Sequence, residues 1–122
     1  MTSRSRVTEW LTTYDFNQNT IRVVEIDGEP WFVAKDVLIT LGYYIKSDGT
    51  VNTTNALRLL SNDEVSTAHS SDITGRPPKV ISESGLYKIV MRSDSPLAKP
   101  FQDWVTRVVL PAIRKDGTYQ RL

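Results

Sequence analysis

The chain predicts an α+β fold: small β-hairpins or a sheet packed against several short helices and a longer amphipathic C-terminal helix. Three observations carry this expectation. A strand–turn–strand pattern, NTIRVVEIDGEPWFV, occupies residues 19–33. Apolar residues at helical spacing fill the last third of the chain. Strands come early and helices late, without the regular alternation that a doubly wound parallel sheet requires. A length of 122 residues suits one domain. We assign residues 1–13 to a flexible N-terminal arm, 14–119 to the domain and 120–122 to a C-terminal tail.

The elements follow in order. Asp27-Gly28 is a two-residue turn signal, because Gly and Asp tolerate the positive φ of a type I′ turn. That turn sets Val24 opposite Trp31 and Val23 opposite Phe32, so both faces are partly apolar and at least one packs on helices. Pro30 has no N–H for a ladder, which favours an edge or a strand start. Val33, Val37, Leu38 and Leu41 then fall at i, i+4, i+5 and i+8, an apolar stripe on a short helix. Gly42 suits its left-handed end. YIKSDGTVN is a loop. TTNALRLL reads as a second short helix with an Asn/Thr cap and Ala56, Leu57 and Leu60 on one side. Residues 65–69 and 79–82 read as strands around a Gly-Arg-Pro-Pro turn. Ser84 is the expected cap of a helix burying Leu86, Ile89 and Val90. In the last helix Phe101, Trp104, Val105, Val108 and Ala112 recur at i, i+3, i+4, i+7 and i+11. Pro100 suits its first turn, Pro111 predicts a kink or restart, and Gly117 an end.

Composition narrows the function. The chain has no cysteine, which excludes disulfides and thiolate metal sites and fits a reducing compartment. The opening MTSRSRVTEW lacks the apolar segment of a signal peptide, and no apolar run approaches a membrane span, so a cytoplasmic protein without a membrane partner is expected. The net charge of +1 hides an asymmetry. Residues 1–75 carry six Lys/Arg and ten Asp/Glu, whereas residues 76–122 carry nine and four. His69 is the single histidine, and the Ser and Asp around it are ordinary loop composition without a nucleophile-exposing turn. Asp63-Glu64 are adjacent, not spaced as metal ligands. No phosphate-cradling glycine loop is present. Asp36 sits in a first helical turn, where an acid complements the helix dipole, which is a more economical role than a carboxylate pair with Glu29. Trp31 and Phe32 read as core or half-core. Catalytic, cofactor-binding and metal-ligating residues are therefore all expected to be absent, and with them any enzymatic activity.

Four motifs in order carry a resemblance. They are W-F-V-A-K-D-V at Trp31 to Val37, L-G-Y at Leu41 to Tyr43, I-S-E-S-G-L-Y at Ile81 to Tyr87, and W-V-T-x-x-V-L-P-x-I-R-K at Trp104 to Lys115. Together they resemble the BRO amino-terminal (Bro-N) domain over about residues 16–119. That domain occurs in proteins of large DNA viruses, phages and prophages, and in many phage antirepressors. The resemblance implies a small α+β domain, usually followed by a second, variable one; none is expected within these residues. The segment YIKSDGTVNTTNAL is a few residues longer than its family counterpart. Two functions follow as expectations. The first is a phage or prophage antirepressor-type regulator that binds a repressor protein and relieves transcriptional repression. The alternative is direct DNA binding by a basic face: Lys88, Arg92, Lys99, Arg107, Arg114 and Lys115 lie on predicted helices, with Arg107 and Arg114 seven residues apart. These six are the candidate contacts for either partner. The competing explanation is a solvated surface opposite the apolar stripe. Self-association is left open.

Overall fold

The computed structural model describes residues 10–69 and 75–115. Five strands form one sheet in the order β1-β2-β3-β5-β4, and every neighbouring pair is antiparallel. They are β1 (Trp10–Phe16), β2 (Asn19–Ile26), β3 (Glu29–Val33), β4 (Val65–Thr67) and β5 (Lys79–Ile81). The helices are α1 (Ala34–Leu41), α2 (Thr53–Leu57), α3 (Glu83–Arg92), α4 (Ala98–Trp104) and α5 (Leu110–Lys115). A 3-10 turn at Asn62–Glu64 leads into β4, and a π turn at Val105–Val109 joins α4 to α5. The architecture is α+β, as expected.

The sheet is built outward from the β2–β3 hairpin. Asp27 and Gly28 both take positive φ, and the register sets Val24 against Trp31 and Val23 against Phe32. The period-2 alternation of a strand then divides the side chains between two faces. Val23, Phe32 and Ile81 form a cross-strand row on the face that meets the helices. Val24, Val33 and Val80 lie in a smaller cluster with Ala68, closed by Leu11, Ile26 and Trp31. Phe32 is fully buried and Trp31 half-buried, in keeping with a core role. Pro30 lies at the start of β3, one of the two places expected for it, although β3 is a central strand. Its ladder to β5 involves only Phe32 and Val33, so at Pro30 the strand has no partner on that side.

Residues 10–13, expected within the arm, belong to β1. Asn17 and Gln18 turn the chain with φ of 50° and 71°, and the strand pairs along its whole length with β2. Tyr14 and Phe16 reach the helical core, where Phe16 packs edge-on to Phe101 at 5.3 Å and against Trp104 at 5.1 Å. Trp104 is consequently half-buried, less enclosed than its place in the stripe suggested.

Two helix details correct the expectations. Ser82, not Ser84, caps α3: its Oγ accepts from the Gly85 N–H at 3.2 Å. The predicted stripe Phe101–Val105–Val108–Ala112 changes phase. The residues buried are Phe101, Val105, Val109, Leu110 and Ile113, while Val108 is 49% exposed. The cause is the π turn, in which the Leu110 N–H bonds the Val105 carbonyl five residues back. Pro111, with no N–H, follows directly, so the helix restarts there as expected. Gly42 closes α1 in the left-handed conformation with φ of 69°. Gly117 and the C-terminal tail lie outside the described residues.

Candidate functional site

Of the six predicted basic contacts, four have side chains among the described residues. Lys88 points its Nζ at Glu64 Oε1, 2.9 Å away. Lys99 stands 3.9 Å from Asp103, one turn along α4. Arg92, in the last turn of α3, and Arg107, in the π turn, are exposed. Arg114 and Lys115 lie on α5, with side chains outside the described set. Part of the π turn lies between Arg107 and Arg114, so the chain between them is not one continuous α-helix. Two of the four candidate cations whose side chains are described thus stand beside acids, and two are exposed.

Glu64 was not legible as a site, and the structure makes it the best-connected carboxylate described. It is 6% exposed. Its Oε1 accepts from the Ser61 N–H at 3.0 Å, from Ser61 Oγ at 3.0 Å and from Lys88. Oε2 accepts from Ser84 Oγ at 2.8 Å. Four donors on a carboxylate favour its charged form. The Ser61 N–H foremost, then Lys88 and Ser84, lower its pKa from 4.5 to about 2. Every partner belongs to the turn before β4 or to α3, which marks a structural tie between them.

Asp36 makes a second tie. Its Oδ2 accepts from the Arg22 N–H at 2.9 Å and from Nε at 2.8 Å, and Oδ1 accepts from Nη2 at 3.0 Å. This forked pair fastens α1 to β2 and, chiefly through that hydrogen bond, raises the arginine pKa. Asp36 is half-buried rather than an exposed first-turn acid, whereas Lys35 beside it is exposed. The Lys-Asp step splits its roles: the acid holds the fold and the lysine faces outward.

Lys35 lines a groove of about 620 Å³ between α1, the loop before α2, and the turn entering β5. Its apolar surface comes from Ile39, Val51, Pro77 and Pro78. Its cations are Lys35, Arg76 and Lys79, and no Asp or Glu is among the described lining residues. None of the three cations makes a salt bridge with a described residue; Lys79 donates instead to Thr67 Oγ1 at 3.2 Å. Ile39 is 43% exposed although it lies on a helix with a buried face. These residues come from three distant stretches of chain, so no linear motif announces them. His69, two residues past β4, is exposed. Among the described residues no three His, Asp or Glu side chains gather where they could hold a metal ion, and no helix is long and apolar enough to cross a membrane.

With this geometry in place, comparison with known proteins defines the class. The model of the BRO family, N-terminal domain, matches residues 20–111, and the chain belongs to that family. It is 32% identical over 133 aligned positions to the Bro-N domain-containing protein 201R of Invertebrate iridescent virus 6, covering 91% of this chain and 30% of the relative. An uncharacterized protein of Haemophilus influenzae is 34% identical over 119 positions, covering 89% of this chain and 52% of that protein. The Bro-N domain-containing protein 019R of Invertebrate iridescent virus 3 is 31% identical, with 88% of this chain and 31% of the relative covered. The chain therefore spans between roughly a third and a half of these relatives' length. No solved structure matches it.

Proposed function

We propose that this Bro-N domain is the recognition module of an antirepressor-type regulator, which binds a repressor protein and removes it from operator DNA. The observation that carries this reading is the groove beside α1. It sets exposed aliphatic surface next to cations that make no salt bridge with a described residue, the mixture by which protein surfaces recognise one another through apolar anchors and charge complementarity. DNA binding is the second reading, and the exposed Arg92 and Arg107 favour it. It is weaker because Lys88 and Lys99 face carboxylates and the overall charge is only +1.

The two readings separate in one titration. Repressors encoded in the same genome are assembled on fluorescent operator duplexes, and the 122-residue chain is added. Release of the operator at near-stoichiometric chain, without the chain binding the duplex itself, is the expected result. Intact repressor–operator complexes, together with direct binding of the chain to the duplex at physiological salt, would transfer the assignment to DNA.

A further inference from the structure

The groove has a chemistry more specific than a generic contact surface. Lys35 lines it from α1, and Arg76 and Lys79 from the turn entering β5, with Ile39 and Pro77 supplying apolar surface. A concave site lined by one sign of charge focuses its field into the concavity and raises the local concentration of opposite charge. Apolar surface adjoining that field gains only if the occupant also brings apolar atoms to cover it. A bare phosphate backbone satisfies the cations and leaves Ile39 and Pro77 wet. The described lining also holds no aromatic ring on which a base could stack. An aliphatic peptide without acids leaves the cations unmatched. A volume of about 620 Å³ suits a short peptide segment rather than a broad flat surface.

We infer that the groove docks an acidic segment of the partner protein, a short stretch in which Asp or Glu side chains flank at least one large aliphatic side chain. The acids pair with Lys35 from α1 and with Arg76 and Lys79 from the β5 turn, and the aliphatic side chain covers Ile39. The inference rests on the reading that the partner is a protein, and deepens it by naming what the partner must present.

The test is selection from a displayed library of random heptapeptides on the immobilised full chain, with a K35E/R76E/K79E variant as counter-screen. Enriched peptides should carry net negative charge and a Leu, Ile, Val or Met. Like-charge juxtaposition should weaken their binding to the triple variant by at least about tenfold. The variant's circular dichroism and melting should stay close to wild type, since all three side chains are exposed. Ile39→Asp should also weaken binding, whereas Arg58→Glu, a charge reversal outside the groove, should not. Enrichment of peptides without acids, or binding unchanged in the triple variant, would overturn the inference. So would displacement of selected peptides by a 20-base-pair duplex acting through the same three cations. If operator release succeeds while the selection fails, the protein-binding reading stands and this assignment of the groove falls.

Discussion

At the scale of single residues, Glu64 has the most distinctive environment. Folding holds its pKa near 2 against the usual 4.5, so the folded state favours the carboxylate. The stability it contributes is complete above about 4.5 and is lost as pH falls toward about 2, because the unfolded chain then binds the proton first. Glu64→Gln keeps the shape and removes the titration. Thermal melts followed by circular dichroism should show the variant less stable at pH 7, with a shallower loss than wild type between pH 4.5 and 2. Parallel curves for the two proteins over that range would remove Glu64 from the acid response. Gly85 belongs to the same tie. A Cβ there would stand 3.1 Å from Leu60 Cδ1 and 3.3 Å from both Cβ and the carbonyl oxygen of Glu64. In an open helix Gly→Ala gains about 1 kcal/mol. Crowding a packed site costs about 1–3 kcal/mol, and one of the atoms met is backbone. Crowding should win, so Gly85→Ala should lower the urea-unfolding free energy by about 1 kcal/mol, the reverse of the propensity order. A stabilised variant would mean that Leu60 and the Glu64 turn yield more easily than their packing suggests.

At the scale of elements, local chemistry decides what can be read from sequence. The β2–β3 register follows from Asp27-Gly28, since that dipeptide suits the positive φ its turn needs, and the observed pairs are the expected ones. The β1 strand was hidden because its turn is Asn17-Gln18: Asn tolerates positive φ, but Gln at 71° has no intrinsic preference for it, and tertiary packing must impose it. The α3 cap was misplaced by two residues because two serines stand near the helix start. The nearer one to the strand takes the N-cap, while Ser84 turns to Glu64, a partner twenty residues away that local pattern does not show. The phase of the last helix was wrong for a similar reason. Val108 and Val109 are chemically identical, and only the π turn ahead of Pro111 decides which is buried. That makes a matched pair of substitutions diagnostic. Val109→Ala should cost about 1–3 kcal/mol through lost apolar burial and a small cavity. Val108→Ala, at an exposed site, should stay within about 0.5 kcal/mol. Equal effects in urea unfolding would argue for an uninterrupted α-helix with the phase the periodicity implied.

At the scale of the whole molecule, part of the positive charge of the chain's basic end is turned to acids of the same chain. Folding sends Lys88 to Glu64 and sets Lys99 beside Asp103, and it assembles a different cationic set from Lys35, Arg76 and Lys79. Lys35 comes from the less basic first part of the chain and the other two from its more basic end. The family was therefore legible in ordered motifs, whereas the groove was not, because its residues are neighbours only after the sheet brings α1 and the β5 turn together. This arrangement bears on DNA directly. Counterion release scales with the number of phosphates neutralised, and each contact contributes about 0.9 to the log–log slope of affinity against salt. With Lys88 and Lys99 beside acids, fewer of the candidate cations are free to reach one duplex at once. The chain should bind duplex DNA only in the non-specific range of about 10⁻⁴ to 10⁻⁶ M at physiological salt. Neutralising Arg92 and Arg107 together should change the slope by less than the roughly 1.8 expected if both touched phosphate. Fluorescence anisotropy over a salt series measures both quantities. Nanomolar, sequence-selective binding that collapses in the Arg92/Arg107 double variant would mean that the two exposed arginines, and not the groove, are where this domain meets its partner.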